Sequence, residues 1–281
     1  MRDVTFVLHT ASPYQLNVKD AEQDLLIPAR DGTLNVLRYA AKVPSIRFFG
    51  ITSSFAAVSD FSKGGPNRPG FTYTETDWNP NGWKEAVDFG GEGAFAYSAS
   101  KKVAEEAAWD FKRSNPEVSF DIATFNPPMI YGKTLQPGVK KSNLNTSSAT
   151  IYALISSLDA MPGDRLPLFC HARDVGDAHV RALSHLPQSA GHRYLLHGDT
   201  FTWAMAVHHL ASVRPALKSR LPKGWEQSDP WAKQPTVEHF AQLDTTKAKE
   251  LLGMSHFRNW KTTLEECIDD LLELEKREGW A

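Results

Sequence analysis

The chain has 281 residues, with 31 lysines and arginines against 33 aspartates and glutamates, and a formal net charge of -2. So even a mixture of charge offers no polycationic face for nucleic acid or an anionic membrane. No run approaches the ~18 apolar residues of a membrane span, and the first residues, MRDVTFVLHTASP, turn polar by His9 instead of forming a basic-then-apolar leader. A cytoplasmic protein is expected, with no nucleic-acid or membrane partner, whose two cysteines, Cys170 and Cys267, are ordinary buried thiols.

Apolar bursts alternate with helical patterns along the chain, the mark of a parallel sheet covered on both faces. VTFVLHTAS (4–12) reads as a short buried strand running into a polar end. The stretch 20–43 carries Leu34, Val36, Leu37, Tyr39 and Ala40 at helical spacing, with Pro28 and Gly32 bending its early part. SIRFFGITSS (45–54) is the second strand. From 59 to 93 a polar passage with KGGPNRPG and DWNPNGW reads as a loop over the mouth of a site. A helix containing Tyr97 follows, stopped near Ser114 by Asn115-Pro116. VSFDIATFNPPMIYG (118–132) is the third strand. Beyond it come a helix near 149–160, a strand around LPLFCHARDV, a helix through DAHVRALSHL, a strand at 191–198 and a mostly helical remainder. Residues 1–135 are thus expected to form a Rossmann-like catalytic unit of an α/β protein. Residues 136–281 are expected to be a mixed region with one late sheet strand and a helical lobe.

In a parallel α/β sheet, chemistry collects at the carboxyl ends of the strands. Here those ends are HTASP (9–13), TSSF (52–55) and NPPMIYG (126–132). Tyr97 and Lys101 stand four apart, so a helix stacks them on one face. An ammonium held near a phenol favours the phenolate, so the tyrosine pKa is expected to fall toward the working range of an acid or base. Of the seven tyrosines, only Tyr97 has a lysine four residues on. A Ser54 hydroxyl aimed with the phenol at one point can hold and protonate a carbonyl oxygen. GEGAFA (91–96) fits G-x-G-x-x-A but lacks a preceding strand, so it is rejected as a dinucleotide loop. His171, Asp174 and His179 are read as packing residues, and no metal is expected.

Taken together, HTASP, ITSSFAAV, TYTETDWNP, YSASK, NPPMIYG, HARDVGDAH and DTTKAKELLG resemble the extended short-chain dehydrogenase/reductases. They are most like the fungal NADPH-dependent methylglyoxal and aldehyde reductases, akin to plant dihydroflavonol and cinnamoyl-CoA reductases. The resemblance covers nearly the whole chain in order. It implies Ser54, Tyr97 and Lys101 as the catalytic set, with Lys101 also on the nicotinamide ribose. It places Thr10, Ala11 and Ser12 beside the adenosine and diphosphate, and Pro127, Met129 and Ile130 along the nicotinamide. Phe55, Tyr131 and the 133–147 loop would face a small carbonyl substrate. The cofactor implied is NADPH, with NAD left open, and the oligomeric state is not implied. Family members open with a strand, a G-x-x-G-x-x-G turn and a helix. Here HTASP begins at His9, so about seventy residues of the usual fold, including the phosphate-holding helix start, are expected to be missing. Competing expectations are a sugar-nucleotide epimerase or dehydratase, which shares the Ser/Tyr/Lys set, and a catalytically silent truncated form.

Overall fold

The computed structural model describes residues 3–90 and 94–280. Strand β1 (Phe6–His9) leads through an irregular stretch into a π-helical turn (Glu22–Leu26) and helix α1 (Ile27–Ala40). The Ile27 N–H bonds the Glu22 carbonyl five residues back, one residue before Pro28, which has no N–H to give. Strand β2 (Phe48–Thr52) follows. The passage expected to be loop carries more order than its composition suggests, holding strand β3 (Thr72–Tyr73) and helix α2 (Trp83–Phe89).

Helix α3 (Ala94–Ser114) ends before Asn115-Pro116, as its punctuation predicts. Ala94–Ala96 of the rejected GEGAFA stretch begin α3, and its first three residues, 91–93, lie outside the described residues. The single strand expected over 118–132 is two strands. Strand β4 (Asp121–Asn126) belongs to one sheet and β5 (Met129–Tyr131) to another. Pro127 and Pro128 have no ladder donor, so the chain leaves the first sheet there.

Then come α4 (Thr146–Ala153), β6 (Leu168–His171), α5 (Ala172–Ser184), β7 (Arg193–Leu195), β8 (Asp199–Thr200), α6 (Trp203–Val213), β9 (Gln242–Leu243), α7 (Thr246–Leu252) and α8 (Trp260–Glu278). The main sheet is all parallel, in the order β1-β2-β4-β7, with Phe6 opposite Phe48, Phe48 opposite Asp121 and Thr124 opposite Arg193. A second sheet orders β5-β6-β8, and β3 pairs with β9.

Both faces are covered at β2 and β4, which is why they read as apolar runs rather than alternating ones, whereas β1, expected to be buried, leaves Phe6 and Leu8 exposed. Phe49 and Ile122 pack with Leu37 and Ala40 of α1 and Ala108 of α3. Phe48 and Phe125 point the other way, onto Ala178 and Ala182 of α5 and Ala248 and Leu252 of α7. A third cluster joins α4, α6 and α8 over Phe169 and Phe201, burying one face of α8 through Leu264, Ile268 and Leu271. Among the described residues, no helix is long and apolar enough to cross a membrane. The result is an α/β architecture built on a Rossmann-type parallel sheet.

Candidate active site

The carboxyl end of β2 carries the site. After Thr52, the Ser53 N–H bonds the Phe125 carbonyl at 2.8 Å, and Ser54 stays extended to cap a 3-10 turn over Phe55–Ala57. Its Oγ accepts the Ala56 N–H at 3.1 Å. Tyr97 lies in the first turn of α3, its phenol near enough to the Ser54 hydroxyl for that group to draw its pKa down. One helical turn on, Lys101 is buried and its Nζ donates to the Thr52 carbonyl at 3.2 Å. A strand end and one helix face thus bring Ser54, Tyr97 and Lys101 together.

Burial sets their protonation. The Tyr97 pKa is pushed up to about 12, chiefly by desolvation, with the Ser54 hydroxyl pulling down. The sequence spacing predicted the opposite direction. The ammonium bonds a backbone carbonyl, and loss of water outweighs its attraction for a phenolate. Burial also lowers Lys101, to about 8, against the opposing pull of Glu105. Tyr14 stands edge-on to the Tyr97 ring, with centroids 4.9 Å apart.

At the end of β1, Thr10 and Ala11 are exposed and Ser12 is half-buried. The Ser12 Oγ and the His9 Nε2 are buried atoms without a hydrogen-bond partner. Burial, then the nearby Lys101 charge, lowers the His9 pKa and keeps the ring neutral. These two atoms, with a lysine that has three N–H bonds to give, are spare polar capacity beside the strand ends. That capacity fits the hydroxyl-rich part of a dinucleotide.

The family model described as "Male sterility protein", an NAD-binding family, matches residues 1–165. The NADPH-dependent methylglyoxal reductase of Saccharomyces cerevisiae is 34% identical over 285 residues, covering 98% of this chain and 79% of that protein. The chain belongs to the extended short-chain dehydrogenase/reductases. A cinnamoyl-CoA reductase of Medicago truncatula is 34% identical over 275 residues, covering 98% of this chain and 74% of the relative. The crystal structure of the yeast methylglyoxal/isovaleraldehyde reductase complexed with NADPH superposes with a TM-score of 0.82 at 34% identity, over 98% of this chain and 79% of that one.

Other residues singled out from the extended short-chain dehydrogenase/reductase pattern are dispersed. Pro127 is buried, and its carbonyl accepts the Phe55 N–H at 2.9 Å. Met129 and Ile130 are strand neighbours and point to opposite sides, Met129 into the cluster with Phe169 and Ile130 into the one with Phe125. Phe55 and Tyr131, expected to face substrate, are only 4% and 3% exposed. The Phe55 ring lies edge-on to Tyr73, and Tyr131 packs near Phe169 and Phe201. Both rings are core because each follows its strand end into a covered layer.

His171 caps α5 by accepting the Arg173 N–H, Asp174 pairs with Arg258, and His179 bonds the Thr52 hydroxyl and the Val175 carbonyl. Among the described residues no group of three or more His, Cys, Asp or Glu is placed to hold a metal. A surface cavity of about 440 Å³ lined by Leu144, Ala149, Ala153, Leu158 and Pro162 touches none of the three gathered residues. Sequence reasoning passed over Tyr14, His9 and Glu105. The signal for Glu105 was present, since Tyr97, Lys101 and Glu105 repeat at four-residue spacing.

Proposed function

We propose that the chain reduces an aldehyde or ketone to an alcohol with NADPH, using Ser54, Tyr97 and Lys101. The observation that carries this is the Ser54 hydroxyl beside the Tyr97 phenol, one helical turn from a buried lysine at the end of β2. NADPH is drawn from the names of the yeast reductase and its complex. Lys101, Ser12, Thr10 and Ala11 would hold it, and the family resemblance adds Pro127, Met129 and Ile130 as further contacts. The bound cofactor supplies a hydride to the carbonyl carbon.

Tyr97, with its pKa raised to about 12, keeps its proton at neutral pH and so can deliver it to the oxygen as the C=O bond becomes CH–OH. Ser54 orients that oxygen through its hydroxyl. Lys101, titrating near 8, is mostly an ammonium at pH 7 and offsets the negative charge left on the phenol. Two buried free thiols, Cys170 and Cys267, accord with a reducing cytoplasmic setting.

The test follows NADPH consumption with methylglyoxal and a panel of aldehydes and ketones, with Tyr97→Phe alongside. Turnover should drop about 10²-fold or more while NADPH binding persists. Undiminished turnover in the variant, or no turnover by a folded chain that binds NADPH, would overturn the proposal.

A further inference from the structure

We infer that the buried Glu105–Arg193 ion pair is a positioning device that fixes Ser54 against Tyr97 by tying the catalytic helix to the 75–79 loop. This deepens the proposed reaction and rests on it. Glu105, on α3, is 1% exposed, yet five donors converge on its carboxylate, the Trp109 indole N–H at 3.5 Å the most distant. Oε2 accepts from Ser53 Oγ at 2.5 Å and Asn126 Nδ2 at 2.7 Å. Oε1 accepts from Thr124 Oγ1 at 2.8 Å and Arg193 Nε at 2.7 Å. The carboxylate therefore gathers the ends of β2, β4 and β7 onto one helix.

Two lines run from this hub to Ser54. On one side, Asn126 Nδ2 also donates to the Ser54 carbonyl at 3.2 Å. On the other, Arg193 reaches the loop. Its Nη1 donates to the Glu75 and Asp77 carbonyls, each at 2.7 Å, and its guanidinium lies 3.6 Å over the Trp78 ring. Asn79, next in the loop, donates its N–H to the Ala57 carbonyl and its Nδ2 to the Ala56 carbonyl, both at 3.0 Å. The Ala56 N–H holds the Ser54 Oγ. Ser54 is gripped from its carbonyl and from its turn, and both grips end on the same ion pair.

A buried ion pair is weak evidence for stability, because desolvation cancels most of its attraction. A planar, five-donor guanidinium that spans a carboxylate, two carbonyls and an indole is what a clamp needs, and a lysine cannot supply it. A misplacement of about 1 Å in a reacting group can cost on the order of 10²-fold in rate.

The test uses the full chain with Arg193→Lys, which keeps the positive charge for Glu105 but loses the fork, and Asn79→Ala, which cuts the loop from the turn without touching a charge. Both should fold. Each should lower kcat about tenfold or more, leave KM for NADPH within about twofold, and speed hydrogen exchange at the Ala56 and Ala57 amides without a matching rise across the main sheet. Full kcat in Arg193→Lys would make the pair a charge balance only and overturn the inference. So would unchanged exchange at Ala56 and Ala57 in both variants. The exchange measurement does not need turnover. If the wild-type chain reduces no carbonyl, the proposed function fails, and exchange alone still decides this inference.

Discussion

Replacing Lys101 by methionine should make the protein more stable and inactive at once. Burial lowers this lysine from its ordinary 10.5 to about 8. At roughly 1.4 kcal/mol per pKa unit, about 3 kcal/mol is held against the native state at neutral pH. Against that gain stands the lost hydrogen bond to the Thr52 carbonyl, worth about 1 kcal/mol, while the pull of Glu105 is already contained in the net shift. A net stabilisation of about 2 kcal/mol remains, or a Tm rise of about 3–5 °C for a chain of this size. The sign is set by linkage. In the unfolded chain the lysine keeps its proton up to 10.5, whereas the folded chain releases it near 8, so the unfolded state binds more protons between those values. The penalty is full below pH 8 and fades as pH rises toward 10.5. Thermal unfolding of wild type and Lys101→Met without cofactor, at pH 7 and pH 10, should show a difference at pH 7 that shrinks at pH 10. A variant less stable than wild type by the same amount at both pH values would refute the assignment of a strained, buried ammonium. Carbonyl reduction by the variant should be lost at either pH.

Two further outcomes follow from burial and close packing. His9, His171, His179, His192 and His197 all have pKa values lowered, in each case chiefly by burial. The unfolded chain takes up protons near 6.5 that the folded chain refuses, so stability present above that pH is lost as pH falls below it. The Tm should fall between pH 7 and 5, and His179→Gln should make that fall smaller; an equal slope in the variant would exclude His179. A Cβ at Gly132 would meet the Ala172 Cβ at 2.8 Å, at the rigid start of α5. Gly132→Ala should therefore cost about 1–3 kcal/mol, measured by chemical denaturation. Adding Ala172→Gly should restore most of it, and a double variant no better than the single one would place the strain elsewhere.

The alternation of strand and helix, the stop of α3 at Asn115-Pro116 and the meeting of Ser54 with Tyr97 and Lys101 were legible because each depends on residues close in sequence or on a general rule of parallel sheets. The split of the third strand could have been read from Pro127-Pro128, since no ladder crosses two residues without N–H groups. The Tyr97 pKa could not. Four-residue spacing reveals an attraction between ammonium and phenol, but desolvation comes from layers packed by distant parts of the chain, and it wins. Phe55 and Tyr131 turned from expected substrate contacts into core for the same reason. Arg193 reaches Glu105 across 88 residues, so no local pattern announces it. Burial thus decides both the geometry and the protonation of the site. It keeps the phenol protonated, the His9 imidazole neutral and the lysine close to its titration point. A phenol that holds its proton at pH 7 suits delivery of that proton to a newly formed alkoxide.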